Sequence, residues 1–301
     1  MEENRYLVPA GVIDAVLDTD AYNEIDDQFA LSLMLKSPER INLKAIYAAP
    51  FHNYRSTGPE DGMMKSLTEI RTLLKLAGRE DMLPFALEGS RRYLPSEAEA
   101  VDSPAARDLA DRAAAYSPEK PLYVVTIGAI TNVASAILLK PEIAKNLVIV
   151  WLGGHALEWP DTKEFNMEQD VAAVRVVYDS DAALVQLPAR GVVDHFTVSE
   201  PELNYWLMGK NALCDHLAGE TIKEANSYAA GKPWTRVIWD VTAAAWLLND
   251  NDRFMEGRII PRPIPEYDHR YSYDFRRKSM CYIWRIERDA LMAELINKLT
   301  K

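Results

Sequence analysis

The chain has 301 residues, of which 48% are hydrophobic and 26% are charged, as is typical of a soluble globular protein. Its formal net charge of −11 argues against a protein that binds nucleic acid, because such proteins present a basic surface to the phosphates. No stretch approaches the ~20 apolar residues of a membrane span. Residues 1–5 precede no long apolar run, and Cys214 and Cys281 are far apart, so we expect a cytoplasmic protein without signal peptide, disulfide or membrane partner.

The first motif along the chain is a short apolar run from Ala15 that ends in carboxylates. Apolar residues then recur at four-residue spacing from Phe29, which predicts a buried helix face. Asp18 and Asp20 would therefore lie at the end of a strand. The helix would open with two more acids, where its dipole favours negative charge. In open α/β sheets, ligands bind at this carboxyl end of the strands.

The acidic residues of this motif are too numerous to be explained by helix capping alone: Asp18, Asp20, Glu24, Asp26 and Asp27. Carboxylates crowded into one crevice repel each other, and some must bind protons or a cation. Ligand sets made only of oxygen select a hard cation, Ca²⁺ or Mg²⁺. A solvated acidic loop with helix caps is the alternative interpretation.

The rest of the chain alternates between apolar, β-branched runs and amphipathic segments. Strands are predicted at 43–49, 122–127 and 147–152, and helices at 63–77, from Pro104 and at 132–139, with Gly78 at a helix end. Such alternation implies parallel strands joined by right-handed crossovers. A β-hairpin is predicted from Tyr271–Phe275 and Met280–Ile286, followed by a closing helix. We predict one domain over residues 1–301, of the α/β class, with an open, mostly parallel (mixed) sheet flanked by helices.

Three further motifs follow predicted strand ends. Gly128 lies in a strand-to-helix turn, where glycine lets the backbone approach a ligand and where Thr131 or Asn132 can cap the helix. The other two motifs are Gly153-Gly154 with Glu164-Phe165-Asn166, and Trp239-Asp240 at the start of a helical run. Taken singly, a structural turn, a surface loop, a helix cap and core packing explain these residues as well.

Taken in order, the motifs resemble those of the nucleoside hydrolases, the inosine-uridine-preferring family. Asp18-Thr19-Asp20 and Asp26-Asp27 are similar to its amino-terminal signature, although Ala21 to Ile25 make the intervening loop two residues longer and lack its Pro-Gly turn. The turn at Gly128 and the Glu-Phe-Asn motif also match. A histidine often precedes the last aspartate in the family. Trp239 takes that place here, as in the purine-preferring branch.

This resemblance implies a Rossmann-like nucleoside hydrolase fold and Ca²⁺-dependent hydrolysis of the N-glycosidic bond of ribonucleosides, with purine ribosides favoured and a role in purine salvage. It implies a metal site formed by Asp20, Asp27, Asp240 and the main-chain carbonyl of Ile127. Asp20 would also be the general base that activates the attacking water. Trp239 would stack on the purine and assist its departure.

The resemblance also implies which residues bind the sugar. Asp26 and Asn53 would bind the 2′-hydroxyl side of the ribose, Asn166 the 3′-hydroxyl and Glu164 the 5′-hydroxyl. The expected partner is a small ribonucleoside, and the expected assembly is a homodimer or homotetramer.

Two other functions fit parts of the sequence. A haloacid-dehalogenase-like, Mg²⁺-dependent phosphatase also places Asp-x-Asp after a strand, and Thr126 could serve as its phosphate-binding threonine. It would leave the Glu-Phe-Asn and Trp-Asp motifs without a role. A non-catalytic nucleoside or sugar sensor of the same fold would bind ribosides without turnover, and the missing histidine before Asp240 agrees with it.

Overall fold

The computed structural model describes residues 3–301, so Met1 and Glu2 of the segment considered for a signal peptide lie outside the described residues. Its strands are β1 (Ile13–Thr19), β2 (Ile41–Ala48), β3 (Ala86–Leu87), β4 (Leu122–Thr126), β5 (Leu147–Leu152), β6 (Ala183–Leu187), β7 (Thr197–Ser199), β8 (Thr235–Val237), β9 (Met255–Pro261), β10 (Ile264–Pro265), β11 (Tyr271–Ser272) and β12 (Ser279–Ile286). Its helices are α1 (Asp26–Leu35), α2 (Pro59–Leu76), α3 (Pro104–Ala113), α4 (Thr131–Leu139), α5 (Phe165–Gln169), α6 (Val171–Asp179), α7 (Glu200–Trp206), α8 (Ala212–Ala229), α9 (Val241–Trp246) and α10 (Arg288–Leu299). No helix among the described residues combines the length and apolar character needed to cross a membrane.

The main sheet of the described chain has eight strands in the order β3-β2-β1-β4-β5-β6-β12-β9. Neighbouring strands are parallel throughout, except that β9 runs antiparallel to β12. The predicted open, mostly parallel mixed sheet is therefore confirmed. After β1, the next strands β2 and β3 are added on one side of it, and β4, β5 and β6 are added on the other side. The strand order thus reverses between β1 and β4, and a crevice opens there at the carboxyl ends of the strands.

Helices cover both faces of this sheet, and each face has its own apolar core. Phe29 of α1, Leu67 of α2 and Ala244 of α9 belong to one core. Leu109 of α3 and Val133 of α4 belong to the other. The side chains of β4 and β5 are all buried, because a parallel strand between two helical layers has no solvated face. This burial explains why both strands read as continuous apolar runs.

The early elements agree with the sequence prediction to within a few residues. α1 begins at Asp26, and β2, β4 and β5 fall where strands are expected. The helix predicted over residues 63–77 begins earlier, at Pro59, and ends at Leu76. Gly78 follows it with a φ of +68°, a left-handed conformation that glycine adopts without a steric penalty.

The predicted β-hairpin near the carboxyl terminus is wrong. Tyr271 pairs with Pro265 in a separate two-stranded sheet, whereas β12 lies between β6 and β9 in the main sheet. Four consecutive residues of β12 are buried there, whereas Phe275 in the supposed partner strand is 82% exposed. Burial of apolar surface against the main sheet therefore outweighs the short loop closure that a local hairpin offers.

Candidate active site

A cavity of about 290 Å³ lies at the carboxyl ends of β1, β4 and β5, beside the point where the strand order reverses. Every residue that the sequence suggested for the site lines this cavity: Asp20, Asp26, Asp27, Asn53, Ile127, Glu164, Asn166, Trp239 and Asp240. These residues are spread over 220 positions of sequence and come together because the parallel strands end at one edge of the sheet.

The five-residue loop between Asp20 and α1 is anchored to the core. Ala21 and Ile25 are buried in the core on the α1 face of the sheet, while Asn23 and Glu24 line the cavity. The amide N–H of Asn23 donates to the carbonyl oxygen of Asp20 at 2.6 Å, which closes a turn without the Pro-Gly pair. The longer loop therefore adds an amide and a carboxylate to the cavity wall.

Three buried carboxylates form the most concentrated group of oxygen atoms in the cavity. One oxygen from each of Asp26, Asp27 and Asp240 lies within 4.8 Å of the others. Burial raises the pKa of Asp26 and of Asp27 to about 7, with the charge of Asp27 adding to the shift of Asp26. Burial and the charges of both these acids raise the pKa of Asp240 well above its usual range. Burial first, and then the charge of Asp27, likewise raises the pKa of Asp20.

The hydrogen-bonding state of these acids fits a cation. Both carboxylate oxygens of Asp20, and one each of Asp26 and Asp240, have no hydrogen-bond partner among residues 3–301. A buried carboxylate oxygen without a donor is costly unless it is protonated or coordinates a metal. Because the donors are all oxygen, a hard divalent cation such as Ca²⁺ or Mg²⁺ suits them. Asp26, which was expected to bind the sugar, belongs to this close group of three carboxylates. Asp20, which was expected to be a metal ligand, lies outside the group but lines the same cavity.

Asp18, the first acid of the amino-terminal motif, points away from the cation group. Its carboxylate accepts hydrogen bonds from Asn132 Nδ2 at 2.8 Å and Thr126 Oγ1 at 3.1 Å, and burial raises its pKa to about 7. The expectation that Thr131 or Asn132 caps α4 is wrong, because the cap position is Ile130 and has no side-chain bond. Thr131 donates instead to Asp170, at 2.7 Å. These polar side chains brace the strand ends beneath the cavity.

The turn after β4 brings main chain close to the acids. A Cβ atom on Gly128 would lie 2.9 Å from Ala49 Cβ and 3.3 Å from Asp20 Cγ, so a larger residue would push the turn outward. The preceding Ile127 lines the cavity, and its carbonyl oxygen accepts a hydrogen bond from Asn166 Nδ2 at 3.2 Å. A carbonyl oxygen has two lone pairs, so this bond leaves one for a ligand.

Glu164 is held by main-chain donors. Its carboxylate accepts N–H bonds from Gly154 at 2.9 Å, Asn166 at 2.9 Å and Met167 at 3.0 Å, and it caps the amino end of α5. Burial nevertheless raises its pKa to about 7. The Glu-Phe-Asn motif is thus a fixed turn that presents Glu164 and Asn166 at the cavity wall.

Trp239 combines two roles that the sequence left as alternatives. Its ring is half-buried, packs against the core on the α1 face and also lines the cavity. A second aromatic side chain, Phe165, also lines the cavity. The ring of Phe165 is the aromatic side chain that the sequence reasoning missed, although it lies inside a motif already singled out.

Further lining residues carried no sequence signal. His155, Lys163 and Arg190 line the cavity from the segments that follow β5 and β6. The first two lie in a stretch that does not match the family pattern well, and Arg190 lies in a stretch without a motif. Only the pairing of β5 with β6 brings these segments to the same wall.

The comparisons with known proteins agree with this architecture. The family model described as inosine-uridine preferring nucleoside hydrolase matches residues 15–274. A plant nucleoside hydrolase is 17% identical, with a TM-score of 0.75 over 96% of this chain and 99% of that one. A purine-preferring ribonucleoside hydrolase from Gardnerella vaginalis is 17% identical, with a TM-score of 0.73 over 95% and 98%. An inosine-uridine preferring nucleoside hydrolase from Bacillus anthracis is 14% identical, with a TM-score of 0.69 over 96% and 99%.

At these identities the structural likeness concerns the fold. No curated protein sequence matches the chain significantly. The family model, however, covers most of the chain, from the strand that carries the first aspartates to the segment beyond Asp240. The chain therefore belongs to the inosine-uridine preferring nucleoside hydrolase family and is a hydrolase that acts on N-glycosyl bonds.

Proposed function

We propose that this chain hydrolyses purine ribonucleosides to ribose and free base with one Ca²⁺ bound in the cavity. The observation that carries this proposal is the group of buried carboxylates of Asp26, Asp27 and Asp240, with oxygen atoms that lack a donor. The chain belongs to the nucleoside hydrolase family and not to the phosphatases. The phosphatase alternative would also leave the Glu-Phe-Asn and Trp-Asp motifs without a role.

Asp20, Asp27, Asp240 and the Ile127 carbonyl are our proposed cation ligands, and the close approach of Asp26 supports its participation in the same charged group. A bound divalent cation would lower the pKa of a water molecule and hold vicinal ribose hydroxyls. Ca²⁺ suits the site better than Mg²⁺, because it accepts irregular sets of carboxylate and carbonyl oxygens, whereas Mg²⁺ demands near-octahedral geometry.

Asp20 is the proposed general base. Neither of its carboxylate oxygens is engaged by a protein donor, so one can accept the proton of the attacking water. The water oxygen bonds to C1′ while the C1′–N bond breaks and its electron pair leaves with the base. Positive charge develops on the sugar ring at this point, and the surrounding carboxylates stabilise it. Displacement by water in a single step predicts inversion at C1′.

The ribose would be held by four side chains from three different segments. Asp26 and Asn53 are proposed for the 2′-hydroxyl side, and Asn53 is oriented by a 2.7 Å bond from its Nδ2 to Asn23 Oδ1. Asn166 is proposed for the 3′-hydroxyl and Glu164 for the 5′-hydroxyl. Both are buried at the cavity wall, which supports a fixed rather than an adaptable sugar site.

Trp239 is proposed to stack on the leaving base, in the place where the family often has a histidine. A stacked indole stabilises a protonated purine, and a purine offers more surface for stacking than a pyrimidine does. Its position on the cavity wall, two residues before the start of α9, supports this role.

The decisive experiment is incubation of the Ca²⁺-loaded protein with purine, pyrimidine and modified ribosides, with free ribose as the readout. Release of ribose from inosine and guanosine, faster than from uridine, supports the proposal. Binding of ribosides without release of ribose would instead identify a non-catalytic sensor. Asp20→Asn is the matched variant, since it removes the base and preserves the side-chain shape.

We also propose that the chain is cytoplasmic, forms one domain over residues 1–301 and assembles as a homodimer or homotetramer. The main sheet contains both the first strand of the chain, β1, and the last, β12, which supports a single domain. Light scattering of the purified protein tests the assembly, and limited proteolysis tests the domain.

A further inference from the structure

One wall of the cavity carries two cationic side chains, whereas the group of buried acids comes from the β1–α1 loop and the start of α9. Lys163 and Arg190 line the cavity on the side of β5 and β6, together with His155. Lys163 immediately precedes Glu164, and Arg190 follows β6 by three residues. The close group of three acids therefore lies on the side of β1, whereas the cations that line the cavity lie on the side of β5 and β6, where Glu164 and Glu168 also line it.

These two cations are available to a ligand. Among residues 3–301, no carboxylate lies within 4.0 Å of the side-chain nitrogens of Lys163 or Arg190, and neither side chain makes a hydrogen bond. Both residues line the cavity and are exposed to solvent. Arg236, beside the acidic side, differs because it forms an ion pair with Glu24 at 2.7 Å. The free cations of the cavity thus lie on the wall of β5 and β6.

A buried histidine holds the segments that carry these cations. His155 is 4% exposed, and its Nδ1 accepts the main-chain N–H of Arg190 at 3.4 Å. The amide N–H of Ala156 donates to the carbonyl oxygen of Arg190 at 2.9 Å. These two bonds tie the segment after β5 to the segment after β6, so His155 is a positioning residue for Arg190.

The acids nearest to this wall do not neutralise it. Asp161 accepts the main-chain N–H of Lys163 at 3.0 Å, and Asp194 accepts that of Gly191 at 3.1 Å. Neither of these acids lines the cavity. Glu164 and Glu168 do line it, but neither forms an ion pair with either cation among the described residues. The Glu164 carboxylate accepts three main-chain N–H bonds instead, and the Glu168 side chain is exposed.

We propose that the cavity accepts ribonucleosides that carry a phosphate on C5′, with Lys163 and Arg190 binding the phosphate. This inference rests on the proposed function, in which Glu164, the sequence neighbour of Lys163, faces the 5′ end of the ribose. A dianion at C5′ would meet two unpaired cations and lie away from the acids that hold the metal. The reaction is otherwise unchanged: water bonds to C1′, the C1′–N bond breaks, and the products are ribose 5-phosphate and the protonated free base.

The test compares inosine with inosine 5′-monophosphate as substrates, and ribose with ribose 5-phosphate as ligands in calorimetry, all with the Ca²⁺-loaded full chain. We expect cleavage of the monophosphate, and tighter binding of ribose 5-phosphate than of ribose by at least ~10-fold, the usual scale for a charge-assisted hydrogen bond. In Lys163→Ala/Arg190→Ala, the ratio of kcat/KM for the monophosphate to that for inosine should fall ~100-fold, about tenfold per cation. The control is Arg71→Ala, which removes an exposed arginine of α2 that forms no ion pair among the described residues.

The outcomes separate this inference from the function on which it rests. Release of ribose from inosine, with no release of ribose 5-phosphate from the monophosphate, overturns the phosphate site and leaves the nucleoside hydrolase function intact. A substrate ratio that is the same in the double variant and in Arg71→Ala overturns the assignment of Lys163 and Arg190. Cleavage of neither substrate, with no preference for ribose 5-phosphate in calorimetry, contradicts both proposals.

Discussion

The side-chain amide of Asn132 donates a hydrogen bond of 2.8 Å to the carboxylate of Asp18, and both residues are fully buried. The carbonyl oxygen of the same amide accepts bonds from the main-chain N–H and the hydroxyl of Ser90, at 2.7 and 2.8 Å. One amide thus ties β1 to α4 and to the segment after β3. Asp18 belongs to this brace, which holds the strand end that carries Asp20.

Asn132→Ala should therefore lower the free energy of unfolding by about 3 kcal/mol, because it leaves Asp18 Oδ1 and the main-chain N–H of Ser90, both buried, without their partner. Urea denaturation of the variant and the parent measures this difference. Asn42→Ala is the control, since Asn42 is exposed and its amide donates to Asp14 at the surface. Equal losses in the two variants would contradict a special role for the Asn132 brace.

Asp20→Asn should reduce kcat for inosine by at least ~10²-fold, the usual scale for loss of a general base. The amide keeps the shape of the side chain but does not accept the proton of the attacking water. Ribose release measures kcat, and circular dichroism verifies that the fold is retained. Activity within a few-fold of the parent would remove Asp20 from the mechanism.

The purified protein should retain one Ca²⁺ per chain, since the carboxylates at the cavity otherwise face each other without compensation. Elemental analysis after gel filtration, with and without chelator, measures the content. Treatment with chelator should abolish ribosidase activity, and added Ca²⁺ should restore it. Undiminished activity in protein free of metal would contradict the proposed role of the cation.

The stability of the metal-free protein should fall as the pH rises from 5.5 to 8. The pKa values of Asp26 and Asp27 are raised from 3.8 to about 7, so the folded protein binds protons that the unfolded chain has released. Their stabilising contribution is complete below about pH 4 and is lost as the pH passes through about 7. Thermal unfolding in chelator across this range measures the change in Tm.

Ca²⁺ should reverse this dependence, because it replaces the protons in the group of acids. The rise in Tm on addition of Ca²⁺ should be larger at pH 8 than at pH 5.5, where protons compete for the same oxygens. In the variant Asp26→Asn/Asp27→Asn, both the pH dependence and the Ca²⁺ effect should largely disappear. A metal-free parent that becomes more stable towards pH 8 would show that other groups dominate.

Trp239→Ala should depress the turnover of inosine or guanosine far more than that of p-nitrophenyl riboside. The activated substrate needs no stacking to stabilise its leaving group, whereas a stacked purine gains ~0.5–1.5 kcal/mol beyond area burial. Comparison of kcat on both substrates measures the difference. Equal losses would mean that Trp239 only packs and shapes the site, and a parent enzyme that prefers uridine would contradict the stacking argument.

The positions of the acids and of the early strands follow from local sequence. The apolar run before Asp18, the four-residue spacing after Asp27 and the glycine at 128 each specify a short element with its ends. Alternation of such elements requires parallel strands, and parallel strands bring their carboxyl ends to one edge. The acids at the strand ends could therefore be placed at one edge from the sequence, and the resemblance to the nucleoside hydrolases selected the other site residues; all nine line one cavity.

Tertiary contacts alone decided the features that depend on distant segments. β12 joins β6 across almost one hundred residues because its apolar face is buried there, and no local pattern distinguishes this from a hairpin. His155 and Ala156 hold the main chain of Arg190 at the wall that Lys163 also lines, through hydrogen bonds that side-chain motifs do not encode. Periodicity and turn residues act over a few positions and therefore specified the elements and their acidic ends. The pairing of distant strands depends on how much apolar surface each arrangement buries, so only the folded chain determined which loops meet at the cavity.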